Sequence, residues 1–327
     1  MTFQIATVEG KEFVSLNGHS VLDSALNSGL AFEYSCKNGQ CGVCKTTLLT
    51  GQVKALQPQV SLTEQDIAEN KILTCCCSAL SDLLIDSEDL SALHGIKTKT
   101  FPARINGIKF LSNQIVEVKL RLPPMAQFKF LEGQYIDVIH SAVTRSYSIA
   151  STSEEPELSL LIKKVEQGVL SRYWFEEAAF NDLLRIEGPK GTFFLRDKNK
   201  PLVFLATGTG IAPVLAILNQ LEQDDTFHQL NSIQLFWGNR RSEDFVWISN
   251  FKKIQVDVFF VHSRPPENWE GERGYVQDVA LKKIVNIKEA HVYACGSNNM
   301  IYSAKKAFTE KGLVVKNFYS DAFVQSY

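Results

Sequence analysis

EYSCKNGQCGVCK, residues 33–45, sets Cys36, Cys41 and Cys44 in a C-x4-C-x2-C spacing, and a run of three more, Cys75, Cys76 and Cys77, follows downstream. Six of the seven cysteines thus lie between Cys36 and Cys77, while Cys295 stands apart. The N-terminus, MTFQIATVEG, has neither the basic start nor the apolar core of a secretory leader, and no apolar run is long enough to span a bilayer. A cytoplasmic location without membrane attachment is therefore expected. That compartment keeps thiols reduced, so clustered cysteines there signal metal ligation or free thiols rather than disulfides.

Three thiols from one loop with a fourth from a distant segment is the spacing of plant-type [2Fe-2S] ligation. Two irons bridged by two sulfides need four thiolates. A tight loop carrying three of them must bring its backbone close to the sulfides, which accounts for Gly39 and Gly42 between the ligands. Structural zinc sites usually present two short-spaced pairs instead. A Rieske centre needs two histidines, and none of the six histidines lies within the motif. Cys75, Cys76 and Cys77 compete for the fourth position.

The rest of the 327-residue chain is ordinary globular material, 45% hydrophobic and 21% charged, of a length for two to three domains. Up to Ala92 it holds 5 Lys+Arg against 11 Asp+Glu, which leaves 29 and 25 of the totals of 34 and 36 for the remainder. An acidic module precedes a mildly basic one. This suits a protein–protein contact and argues against nucleic acid, which calls for a basic stripe.

Short alternating strands (FQIATV, KEFVSL) and the helical VLDSALNSGL, stopped by Gly29, indicate a small α+β module over residues 1–92. A stretch poor in large apolar residues, 93–100, reads as a linker. Strand-like runs separated by turn residues then fill 101–199 (ARINGIKFL, IVEVKLRL, QYIDVI, SYSIA, ELSLLIKKV), the pattern of an antiparallel barrel or sandwich. Over 200–327, buried strands alternate with helices (PLVFLAT with APVLAILNQLEQ, then SIQLFWG, VDVFFV and HVYAC), as in a parallel sheet flanked by helices.

PLVFLATGTGIAP places Gly208, Thr209, Gly210 and Pro213 between a buried strand and a helix start. Glycines there let the backbone approach a pyrophosphate, which the helix N-terminus attracts, and Pro213 is harmless in the first turn. The third glycine of G-x-G-x-x-G is missing, so this is not the usual dinucleotide fingerprint. HVYACGS brings Cys295 and Gly296 to the same rim.

RSYS (Arg145, Ser146, Tyr147, Ser148) after LEGQYIDV, GVLS (Gly168, Val169, Leu170, Ser171), GPKGTF, GTGIAP, YACGS and YSDAF together resemble the ferredoxin-NADP reductase superfamily. The resemblance implies a multidomain α+β and α/β chain: a β-grasp-like ferredoxin, an antiparallel β-barrel for FAD and a parallel-sheet nucleotide-binding domain. It implies that Tyr147 packs on the flavin, Ser148 lies near N5, and Arg145 with the Gly168–Ser171 turn, helped by Lys163, serves the phosphates. It implies that Cys295 and Gly296 flank the nicotinamide and that Phe323 caps the flavin, with Tyr327 a weaker candidate. ILTCC followed by Ser81-Asp82 is similar to plant-type ferredoxins and favours Cys75 as the fourth ligand.

Arg240 or Arg241 in NRRSEDF would suit a 2′-phosphate, but the relatives resembled mostly use NADH, so NADH is expected and NADPH is the alternative. Across essentially the whole chain the order of modules resembles the reductases of aromatic-ring dioxygenases, of soluble multicomponent monooxygenases and, most closely, of the dehydrase system that deoxygenates CDP-6-deoxyhexuloses at C-3. This implies an electron-accepting partner, a pyridoxamine-phosphate dehydrase or an oxygenase component, docking on the acidic ferredoxin module. A non-catalytic redox or nucleotide sensor is a further alternative.

Overall fold

The computed structural model describes residues 2–229, 231–246 and 250–323, so Tyr327 lies outside the described residues. They form two compact units, one up to Ile96 and one from Lys97 to Phe323.

The first unit contains β1 (Gln4–Thr7), β2 (Glu12–Val14), α1 (Val21–Asn27), β3 (Lys45–Thr50), β4 (Val53–Ala55), α2 (Glu64–Ala68), β5 (Lys71–Leu73), β6 (Cys77–Ala79) and β7 (Leu83–Ile85). Its sheet runs β2-β1-β7-β3-β5, with β1 and β7 parallel and the other pairs antiparallel, and β4 pairs separately with β6. The Ser20 hydroxyl caps α1 by accepting from the Asp23 amide, and Val21, Leu22 and Ala25 face the core. Gly29 takes a left-handed φ of 85° just past the helix, as its place in the sequence requires. Phe32, Leu73 and Ile85 complete that core, each such side chain contributing about 1.5–3 kcal/mol by leaving water. The segment expected to be linker is ordered where it begins. Leu93 is buried in a short 3-10 turn, and the Asp89 carboxylate accepts from the Ala31 amide and lies 2.9 Å from His94 Nε2.

In the second unit, β8 (Lys99–Phe110), β9 (Ile115–Arg121), β10 (Tyr135–His140), β11 (Val143–Ser148), β12 (Leu158–Lys163) and β13 (Leu183–Lys190) form an antiparallel sheet in the order β11-β10-β13-β8-β9-β12. A bridge between Ile149 and Leu160 joins its two edges and closes a barrel. Ile105, Val118, Ile136, Leu160 and Trp174 fill the interior. α3 (Val169–Arg172) follows β12.

The second half of this unit is a parallel sheet of β14 (Leu202–Thr207), β15 (Ile233–Asn239), β16 (Asp257–His262), β17 (Glu272–Arg273), β18 (His291–Ser297) and β19 (Phe318–Phe323), with α4 (Ile211–Gln223), α5 (Val276–Lys283) and α6 (Asn298–Glu310) as its helices. The order β17-β16-β15-β14-β18-β19 reverses direction at β14. The carboxyl end of β14 is therefore the topological switch point, where open α/β sheets bind ligands.

A capping box anchors α2. The Thr63 hydroxyl accepts from the Asp66 amide, and Asp66 Oδ2 accepts from the Thr63 amide and from Lys45 Nζ at 2.6 Å. Burial opposes ionisation of Asp66, but the bonds from Lys45 and Thr63 win and hold its carboxyl well below the usual range. A depressed native pKa adds stability above the unfolded value of about 3.9 and loses it as pH falls toward the native one. In urea titrations, Thr63→Ala should cost about 1 kcal/mol at neutral pH. Asp66→Asn should flatten the loss of stability on acidification below about pH 4.

Candidate redox site

In the first unit the cysteine loop is held by the segment 57–61. Gln57 Nε2 donates to the Lys37 carbonyl at 2.9 Å, and the Ser61 backbone amide donates to the Gly39 carbonyl at 3.0 Å. A Cβ on Gly39 would lie 2.3 Å from the Pro58 carbonyl oxygen, so only glycine, here at φ 78°, permits the approach. Lys45, which closes the loop, is fixed by Asp66.

The four thiols proposed as ligands form two pairs. Cys44 Sγ lies 3.1 Å from Cys75 Sγ, and Cys36 hydrogen-bonds with Cys41. The bond with Cys41 lowers the Cys36 thiol and raises that of Cys41, and the thiolate is the form that binds metal. Among the described residues no three His, Cys, Asp or Glu groups are placed to hold a single metal ion. Two thiol pairs fit a binuclear centre better than one tetrahedral ion. Cys77 Sγ is turned to Gln59 Oε1 at 3.2 Å, and burial pushes both the Cys76 and the Cys77 thiols up to about 12. Cys75 is thus the member of the triple run that faces another proposed ligand.

In the second unit, strand alternation puts Arg145 and Tyr147 on one face of β11 and Ser146 and Ser148 on the other. The Tyr147 hydroxyl accepts from Trp174 Nε1 at 3.0 Å, and Ser146 donates to Asp137 at 2.6 Å. Gly168 caps α3; Leu170 is buried, Val169 is exposed, and the Ser171 hydroxyl accepts from the Val165 amide at 2.8 Å. A cation, a planar ring, a hydroxyl and a short helix start are the donors and the ring partner that a flavin nucleotide needs, so this surface fits the group.

Lys163, expected to help at the flavin phosphates, is paired with a carboxylate. Its Nζ is 3.1 Å from Asp244 Oδ2 and within reach of Gly208, because it ends β12 beside the parallel sheet.

At the switch point Gly208, Thr209 and Gly210 leave β14 and Pro213 stands in the first turn of α4. A Cβ on Gly210 would lie 2.4 Å from the Cys295 carbonyl oxygen, and one on Gly296 would lie 2.1 Å from Thr207 Oγ1. The ends of β14 and β18 therefore touch through glycine. Trp237 Nε1 donates to the Gly208 carbonyl at 3.0 Å.

Ser148 and Cys295 converge on a residue that the sequence reading passed over. Asp321 Oδ2 accepts from Ser148 Oγ at 3.3 Å and lies 4.0 Å from Cys295 Sγ. Burial, reinforced by Asp321, pushes the Cys295 thiol well up, so it stays protonated. The one signal for Asp321 was a carboxylate inside YSDAF, a strand otherwise suited to the core. Phe323, two residues on, pairs in register with Ser297 and is partly exposed.

The chain matches three domain families: the 2Fe-2S iron-sulfur cluster binding domain over residues 6–80, the oxidoreductase FAD-binding domain over 102–195 and the oxidoreductase NAD-binding domain over 204–306. It is 40% identical to the CDP-6-deoxy-L-threo-D-glycero-4-hexulose-3-dehydrase reductase of Yersinia pestis, over 96% of each chain. It is 29% identical to the toluate 1,2-dioxygenase electron transfer component of Pseudomonas putida, over the whole of both. Among solved structures it is similar to the Amycolatopsis cytochrome P450 reductase GcoB, with a TM-score of 0.77 and 23% identity over 99% of each chain.

Gly210→Ala must push the end of β18 away at a cost of about 1–3 kcal/mol. It should weaken NADH binding roughly tenfold to a hundredfold, read as KM in ferricyanide reduction. Gly208, whose Cβ at φ 57° would meet only the flexible Lys163 Nζ at 4.0 Å, should lose only about 1 kcal/mol as alanine.

Proposed function

Since this chain belongs to the iron-sulfur flavoprotein reductases of the ferredoxin-NADP reductase superfamily, we propose that it draws electrons from NADH and delivers them to a dehydrase that deoxygenates a CDP-6-deoxyhexulose at C-3. The chain is an electron-transfer oxidoreductase with FAD, NAD and [2Fe-2S] domains, and it serves an electron-accepting partner protein. The named dehydrase is supported by the 40% identity over nearly the full length. The 29% match makes an oxygenase component the second reading of the partner.

The convergence of Ser148, Cys295 and Asp321 at the switch point carries the catalytic reading. Asp321 orients the Ser148 hydroxyl, and the neutral Cys295 thiol provides a compact, uncharged wall where nicotinamide enters. Gly208, Thr209 and Gly210 with Lys163 receive the pyrophosphate, and Gly296 keeps the rim open. Arg145, Ser146, Tyr147 and Gly168–Ser171 hold the flavin, and Phe323 covers it.

Bound flavin supplies the conversion of one hydride into two single electrons, and the cluster held by Cys36, Cys41, Cys44 and Cys75 supplies the one-electron outlet. The acidic charge of residues 1–92 supports docking of the partner on that unit, through electrostatic steering. No helix among the described residues is long and apolar enough to cross a membrane, which accords with the cytoplasmic location we propose.

Cys41→Ser should abolish the visible absorbance of the cluster and transfer to the partner while sparing NADH-to-ferricyanide turnover. Loss of flavin reduction in a folded, FAD-containing variant would refute the electron order. Reconstitution with the CDP-hexulose dehydrase and with oxygenase components should give NADH-dependent product with the dehydrase alone.

A further inference from the structure

The cysteine run 75–77 holds more thiols than a four-ligand cluster uses, and Cys76 is the member left without a role. Its sulfur is fully buried, 3.4 Å from Cys75 Sγ. A Cβ on Gly39 would come within 2.9 Å of Cys76 Sγ, so that sulfur lies against the turn between Cys36 and Cys41. The Cys76 amide donates to the Leu73 carbonyl, which fixes the turn. Gln57 Nε2 donates toward Cys76 Sγ at 3.5 Å and to the Cys75 carbonyl at 3.2 Å.

The direction of the hydrogen bond between the two sulfurs follows from the chemistry of ligation. A Cys75 bound to iron is a thiolate and has no proton to give, so Cys76 must be the donor. The other acceptor near its S–H, the Pro58 carbonyl, is neutral and more distant, at 3.8 Å. A charged acceptor is the stronger one. Gln57, donating to the same sulfur, leaves the Cys76 proton free to point at Cys75.

We propose that Cys76 is a positioning residue that raises the reduction potential of the cluster through an S–H···S hydrogen bond to Cys75. Reduction adds negative charge to the cluster and its thiolates, so a donor to a ligand sulfur stabilises the reduced form more than the oxidised one. The effect would ease the passage of single electrons from flavin to cluster. This inference rests on the reading of Cys75 as the fourth ligand.

The test is an anaerobic dye-mediated redox titration of the full-length holoprotein, followed by electron paramagnetic resonance of the reduced cluster. Cys76→Val removes the donor and should make one-electron reduction about tenfold less favourable, about 59 mV lower. Cys76→Ser keeps a donor and should stay close to the unsubstituted potential. Cys76→Ala replaces the valine variant if that one fails to assemble, with the same expected drop. The proposal is overturned if the valine or alanine variant keeps the original potential, or if serine falls as far as they do. It is also overturned if both apolar variants lose the visible absorbance of the cluster. In that event Cys75→Ser separates the causes: a cluster retained there makes Cys76 the ligand and sinks the Cys75 reading as well.

Discussion

A buried hydrogen bond from the Ser148 hydroxyl to the Asp321 carboxylate joins the last residue of a barrel strand to the last strand of the parallel sheet. Hydrogen bonds to a charged group are worth about 1.5–3 kcal/mol, and leaving such a carboxylate unpaired in the interior costs more. The two halves of the second unit are therefore held with their chemically active edges facing each other. The parallel sheet reverses its strand order at β14, and Cys295, on the neighbouring β18, links that switch point to Asp321 on β19.

Both redox centres use backbone that approaches backbone where a side chain would not fit. Gly39 does this against Pro58 in the ligand loop, and Gly210 does it against Cys295 at the nucleotide turn. In each case the surrounding segments are fixed by side-chain bonds, Gln57 to Lys37 in one and Trp237 to Gly208 in the other. Neighbouring elements thus hold the segments around the glycines that shape the sites. The charge is divided as well, with the acidic unit carrying the one-electron outlet and the mildly basic unit carrying the nucleotide surfaces.

Much of this was legible in the residues. The C-x4-C-x2-C loop is local, so its chemistry is written in spacing alone. The change from alternating runs to buried strands with helices marks where the barrel gives way to the parallel sheet. Gly29 ends its helix where the pattern requires, and Gly208 and Gly210 follow a buried strand directly.

Spacing could not place side chains whose neighbours are distant in sequence. Lys163 reads as a phosphate ligand, and only the fold shows that its ammonium is paired with Asp244, distant in sequence. Asp321 looks like one polar residue in a core strand until β19 pairs beside β18 and brings it to Ser148 and Cys295. Spacing alone leaves the three consecutive cysteines in competition, a resemblance to plant-type ferredoxins favours Cys75, and the turn after β5 points Cys75 toward Cys44 and Cys77 toward Gln59. Sequence by itself determined which cofactors the chain can hold, because ligand loops and glycine turns are contiguous. Tertiary structure decided which side chains meet, because sheet register and strand order bring together residues that the chain keeps far apart.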